Sequence, residues 1–205
     1  METLKTDLLE WAVASAIVGD GTESGDRSLV KSLADGVLVA VVDGLGHGPE
    51  AAAAAKLAIA IADRASTGSP IALLRQCHEE LRSTRGVVLS LAFFDRQDRT
   101  MTWLGVGNVE GVLLRSYPEA SPRREILLLR SGVVGRHLPS ISASVLAVEP
   151  GDTLVLATDG LRPGSAVGLD ATPPPKQLAD FIIAREWQMN DDALVLVARY
   201  RGGGA

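Results

Sequence analysis

Gly36-Val37-Leu38-Val39-Ala40-Val41-Val42 ends abruptly at Asp43-Gly44-Leu45-Gly46-His47-Gly48-Pro49-Glu50, and Ala51-Ala52-Ala53-Ala54-Ala55 follows with Leu57, Ile59 and Ile61 beyond it. A short uncharged run of Val and Leu, bounded by Gly and Asp, reads as a strand buried on both faces. The alanine-rich segment is strong helix material. Pro49 suits the first helical position, and Glu50 places a negative charge at the positive end of the helix dipole. The unit is therefore strand, tight glycine loop, helix. The helix is apolar nearly all round, which predicts burial over most of its surface.

Outward from this unit, Ser69-Pro70 opens a second helix carrying Ile71, Leu74, Cys77, His78 and Leu81 at helical spacing and ending before Gly86. Short apolar runs at 11–18, 87–95, 100–106, 110–115, 125–129, 143–148, 153–158 and 193–199 read as further strands. Asp95, Gly107-Asn108, Pro118, Ser131-Gly132 and Pro150-Gly151-Asp152 mark turns between them. Most neighbouring strands should pair antiparallel. A third helix is expected over about Lys176 to Arg185, after Pro173-Pro174-Pro175. Helices grouped around many antiparallel strands indicate an α+β domain in which a sandwich is covered by helices.

The chain has 205 residues, 46% of them hydrophobic and 22% charged, which fits one globular domain over residues 1–200 with a flexible tail at 201–205. Aromatics are only 4%, so the core must be built from Ala, Val, Leu and Ile. A net charge of -5 argues against nucleic acid, whose phosphates call for a basic face. No apolar stretch approaches the roughly 20 residues of a membrane span, so no membrane contact is expected. Cys77 is the single cysteine, and no basic segment followed by an apolar one opens the chain. The expected setting is reducing and cytoplasmic, and the expected state a monomer.

Candidate chemistry rests on acidic residues. Asp26 lies in Ser24-Gly25-Asp26, Asp43 at a strand end, Asp159 in Ala157-Thr158-Asp159-Gly160, and Asp191-Asp192 before the last strand. Taken singly, an Asp-Gly after a strand is a common turn dipeptide. Taken together at sheet ends, such carboxylates would repel one another without a cation. Hard oxygen ligands favour magnesium or manganese, and a close pair of such ions can activate water for in-line attack on a phosphoryl group.

Other constellations are weaker. The glycines of the loop do not follow G-x-G-x-x-G, so no dinucleotide site is indicated. Cys77 and His78 have no second cluster at zinc spacing, and Ser15 and Ser24 have no histidine partner for nucleophilic catalysis. Trp11, Trp103 and Trp187 are too scattered for a stacking platform and read as packing residues.

The ordered set Val41-Val42-Asp43-Gly44-Leu45-Gly46-His47-Gly48-Pro49-Glu50-Ala51, Gly105-Val106-Gly107-Asn108, Ala157-Thr158-Asp159-Gly160 and Asn190-Asp191-Asp192-Ala193 resembles the metal-dependent PPM (type 2C) serine/threonine phosphatases. The likeness is greatest to their SpoIIE-like branch and, within it, to the RsbX-type phosphatases of the stressosome. The resemblance implies a four-layer α-β-β-α sandwich, two antiparallel sheets flanked by helix pairs, with two divalent ions, Mn2+ or Mg2+, at one edge. It implies that Asp43 bridges both ions, that the Gly44 carbonyl and Asp26 complete one site, and that Asp159 and Asp191 serve the other. Asp43 and Asp159 are then the residues on which hydrolysis turns, and Asp192 stands where the family often has asparagine.

Three features depart from the larger members. Residues 11–18 contain no arginine to hold the substrate phosphate. His47 is displaced from the position directly after Asp-Gly where a general acid is proposed, so it is either a proton-transfer group or a loop residue. The chain is also too short for a flap insertion or regulatory domain. The implied function is hydrolysis of phosphoserine or phosphothreonine on STAS-domain stressosome proteins. The alternatives are another SpoIIE-like phosphatase acting on an anti-anti-sigma protein, a small-phosphoester hydrolase, and an inactive partner-binding module.

Overall fold

The computed structural model describes residues 4–19, 23–117, 119, 122–166 and 168–203; the Pro118 turn and the end of the tail at 204–205 lie outside the described residues. The elements are β1 (Leu4–Lys5), β2 (Leu9–Ala16), β3 (Asp26–Ser32), β4 (Gly36–Gly44), α1 (Pro49–Asp63), α2 (Pro70–Glu80), β5 (Val87–Asp95), β6 (Thr100–Val106), β7 (Glu110–Leu114), β8 (Arg124–Ile126), β9 (Leu129–Arg130), β10 (Ser144–Ala147), β11 (Thr153–Ala157), α3 (Pro175–Glu186) and β12 (Ala193–Tyr200). They form two packed sheets. One runs β1-β2-β12-β11-β7-β8 and the other β10-β6-β5-β4-β3, with β9 joining β6. All these pairs are antiparallel except β6 with β9.

Three apolar layers hold the sandwich. Between the sheets, Val37, Val39, Val41, Trp103, Leu154, Leu156 and Leu196 pack together, and Phe94 stacks on Tyr200 with ring centroids 5.9 Å apart. Beneath α1 and α2, alternate residues of the same β4 strand, Leu38, Ala40 and Val42, meet Ala54, Ala58, Ile61 and Leu74. That two-sided burial is why β4 reads as continuously apolar instead of alternating. Behind the other sheet, Val155, Val195 and Val197 meet Leu178 and Ile182 of α3. Ser69 caps α2 by accepting from the Ala72 amide, and Pro70 occupies its first turn.

The α+β sandwich expected from the sequence is the observed fold, with four differences in detail. First, α1 buries one face only. Ala53, Lys56 and Ala60 are exposed, because the helix is an outer layer and alanine carries little apolar area to demand burial. Second, among the described residues α3 is the one helix on its sheet, where the resemblance implies a pair. Third, the run at 125–129 is not one strand: β8 pairs with β7 in one sheet and β9 with β6 in the other, with Leu127 buried between them. Fourth, β3 went unpredicted. Its Asp-Arg-Ser-Leu-Val-Lys-Ser sequence is polar because it is an edge strand, half-buried along its length. Trp103 is fully buried, and Trp11 and Trp187 pack at the margins of two layers. Among the described residues no helix is long and apolar enough to cross a membrane.

Candidate active site

The register of the strands brings the acidic positions to one edge of the sandwich. Asp26 opens β3 directly opposite Asp43 near the end of β4. In the facing sheet, Ala157 ends β11 beside Val195 of β12, so Thr158-Asp159 leaves the sheet where Asp191-Asp192 enters it. Asp26, Asp43, Asp159, Asp191 and Asp192 line one cleft with Glu23, Gly46, His47 and Gly48. An adjoining hollow carries Asp43, Asp159 and Asp191 on to Gly107, Asn108, Ser131 and Gly132. The four acidic residues singled out as ligands thus share one cleft, and Gly44 is buried beside it.

Two glycines make the convergence possible by close approach. A Cβ at Gly44 would lie 2.1 Å from the Ala51 carbonyl oxygen, so the start of α1 packs directly on the end of β4. A Cβ at Gly160 would lie 1.9 Å from the Asp192 carbonyl oxygen. Gly160→Ala must therefore push the Asp159 turn away from the Asp191-Asp192 turn. The expected cost is about 1–3 kcal/mol, as for other overpacking substitutions. A urea titration reads it as a lowered midpoint at unchanged slope.

Each carboxylate is held differently. Asp26 is 5% exposed and accepts the Thr158 hydroxyl proton at 2.7 Å, while the Thr158 oxygen accepts the Leu194 amide at 2.8 Å. Asn108 donates to Asp159 at 2.6 Å. Asp192 accepts the Val18 amide at 2.9 Å and the Gly25 amide at 3.3 Å, tying the strand that leaves β2 to the segment that enters β3. Asp191 caps the Asp192 amide at 2.8 Å, and its carbonyl accepts the Trp187 indole at 2.8 Å. Among the described residues, no three His, Cys, Asp or Glu side chains are drawn into a closed ligand cage. Like charges spread toward these neutral donors instead.

Electrostatics carry the strain of this arrangement. Burial pushes the Asp26 carboxyl up to about 7, with Asp192, Asp159 and Asp191 adding to the rise and the Thr158 hydrogen bond opposing it. Burial pushes Asp43 up to about 8, reinforced by Asp26, Asp159, Asp191 and Asp192. Asp159 is raised by burial and Asp191, against the Asn108 hydrogen bond. Desolvation and like charge therefore act in the same direction on this edge. His47 is exposed at the mouth of the cleft.

The sequence reading assigned no role to Thr158 or Asn108, although both lie inside the motifs that it quoted. The signal for Thr158 is its place directly before Asp159, and for Asn108 its place in the turn after β6; either marks a hydrogen-bond partner only once the facing strand is known. A second cleft lies at the opposite end of the same sheet, at Leu114, Arg115 and Arg199. Those arginines are already engaged, Arg115 with Glu125 and Asp152 and Arg199 with the carbonyls of Ala171 and Pro173.

Comparison with known proteins identifies the family and the fold. The family model for Stage II sporulation protein E (SpoIIE) matches residues 34–201. A solved chain described under the bacterial stressosome, as a modular system adapted to control secondary messenger signaling, is 30% identical; its TM-score is 0.84 over 93% of this chain and 99% of that one. RsbX in complex with magnesium shares the fold at 18% identity and a TM-score of 0.85, over 97% of this chain and 98% of that one. The phosphatase domain of SpoIIE from Bacillus subtilis shares it at 22% identity and a TM-score of 0.75, over 96% of this chain and 64% of that one. No curated protein matches the sequence. The fold is that of RsbX and of the serine/threonine phosphatase PstP/Ppp of Mycobacterium tuberculosis, the latter at 18% identity and a TM-score of 0.70. The chain belongs to the SpoIIE family.

Proposed function

We propose that this chain hydrolyses phosphoserine or phosphothreonine on a regulatory protein and that it does so with two divalent cations, Mn2+ or Mg2+. The observation that carries the reading is the convergence of Asp26, Asp43, Asp159 and Asp191 on one cleft, where two of the carboxyls are held far above their usual range. The donor set fits such ions: carboxylate and carbonyl oxygens are hard ligands, and a cation would offset the repulsion among them. Asp43 would bridge the two ions, Asp26 and the Gly44 carbonyl would complete one site, and Asp159 and Asp191 the other. Bound there, the ions supply activation of the attacking water and neutralisation of phosphate charge.

The chain's own groups do the positioning. The Thr158 hydroxyl aims one oxygen of Asp26. The Asn108 amide likewise holds one oxygen of Asp159. Asp192, bonded to the Val18 and Gly25 amides, ties two walls of the cleft together. The exposed His47 lies where it could protonate a departing serine oxygen.

For the substrate, the 30% identical chain described under the stressosome and the shared fold with RsbX favour a phosphorylated STAS-domain stressosome protein in the cytoplasm. The test of the reaction is phosphate release from a phosphoserine protein and from an aryl phosphate, with manganese, with magnesium and with chelator. Turnover on both substrates that needs a metal is expected. Turnover that survives chelation would overturn the two-ion reading, and none on either substrate with metal bound would favour an inactive binding module.

A further inference from the structure

The cleft has a carboxylate floor, and three arginines stand beside residues that line it or the adjoining hollow. Arg85 precedes Gly86, whose carbonyl accepts the Leu45 amide at 3.1 Å. Its Nη1 lies 2.9 Å from where a Cβ on Gly46 would stand, and Gly46 lines the cleft. The Arg85 Nε is held by Glu50 in the first turn of α1. Across Gly86, Arg136 donates from Nε to the Arg85 carbonyl at 3.3 Å, which packs the two side chains around one backbone turn. Arg130 precedes Ser131 and Gly132, both of which line the cleft, and its carbonyl accepts the Gly107 amide at 2.8 Å beside Asn108. Its guanidinium donates to the Ser142 hydroxyl at 3.1 Å. All three arginines are exposed, and among the described residues neither Arg130 nor Arg136 is paired with a carboxylate.

We propose that Arg85, Arg130 and Arg136 form a docking rim for a phosphorylated protein segment in which acidic residues flank the phosphoserine or phosphothreonine. The inference rests on the phosphatase reading given above. A chain of net charge -5 repels an acidic partner on average, so its productive approach depends on a local cluster of opposite sign. Screening confines that attraction to about 8 Å at physiological salt, so the cluster selects residues next to the phosphate and not the partner's distant surface. Guanidinium forks suit this task because they pair bidentately with carboxylate and phosphate oxygens.

Two phosphoserine peptides with the same core, one flanked by Asp and Glu and one by Ser and Gly, are titrated in chelator, where they are not hydrolysed, into the wild type, Arg130→Glu/Arg136→Glu and Arg130→Lys/Arg136→Lys. Fluorescence anisotropy should show the wild type preferring the acidic peptide by about tenfold, the order expected of a few exposed ion pairs acting together. The preference should shrink with added salt, vanish in the glutamate pair and persist in part in the lysine pair. Equal binding of both peptides by the wild type would overturn the rim, as would a preference that the glutamate pair retains. Phosphate release by the wild type from an aryl phosphate, which has no flanking residues, is measured alongside. Its absence counts against the phosphatase reading, whereas the peptide preference alone decides the rim.

Discussion

Asp43→Asn is expected to lower metal-dependent phosphate release by about a thousandfold or more, the scale on which removal of a central electrostatic group acts, while leaving the fold intact. Asparagine has nearly the same shape, so the end of β4 keeps its partners on β3 and β5. The charge alone is removed. In the wild type that charge is opposed by burial and by four neighbouring carboxylates. Without metal, therefore, the variant should be more stable than the wild type at pH 8, by roughly 1–3 kcal/mol, since the substitution removes a charge that nothing nearby compensates. Thermal melts of both proteins in chelator check this. The opposed signs are the diagnostic: a residue kept only for structure would lose stability along with activity. A binding module that does not use the carboxylate would keep its partner affinity unchanged.

The same opposition explains what the sequence made legible. The β4-loop-α1 unit is readable because both faces of β4 are buried and its ends are punctuated by glycine. Asp43, Asp159 and the Asp191-Asp192 pair are readable because each adjoins an apolar run at a strand end, whereas Asp26 is marked only by the Ser24-Gly25 before it. By contrast, β3 is invisible locally, since Arg27, Ser28 and Lys31 lie on an edge strand whose pairing comes wholly from β4. The double role of the Asp191-Asp192 pair is hidden for a related reason. Both line the cleft, but Asp192 is in addition bonded to the amides of Val18 and Gly25, residues more than 160 positions away. The sheet switch between β8 and β9 depends on Leu127 entering the core between the sheets, and no dipeptide signal marks that turn. What pattern reading misses here are pairings set by distant partners.

Without metal, the wild type should lose stability steadily as pH rises from about 4 to about 8. Asp26 and Asp43 are held at about 7 and about 8 in the folded chain, against an ordinary 3.8. Below pH 4 both states are protonated, and these groups cost nothing. Between there and pH 8 the unfolded chain has released protons that the folded chain still holds, so stability falls with each unit of pH. Above pH 8 both states are ionised and the full cost is present. Each unit of separation is worth about 1.4 kcal/mol, and sharing among the coupled carboxyls reduces the total to a few kcal/mol. Glu23 and Asp170 move the other way, lowered by hydrogen bonds from Lys56 and Thr172, but both are fully exposed and their contributions are complete by about pH 5, so they do not affect the comparison between pH 5 and pH 8. Urea midpoints at pH 5 and pH 8, with chelator and with manganese, make the comparison. In chelator the pH 8 midpoint should be the lower. Saturating manganese should reverse the order, because cations bind the ionised carboxylates and displace their protons. A midpoint that does not change with pH in chelator would mean that these carboxyls are solvated in solution, and the electrostatic case for a cation at this edge would fall with it.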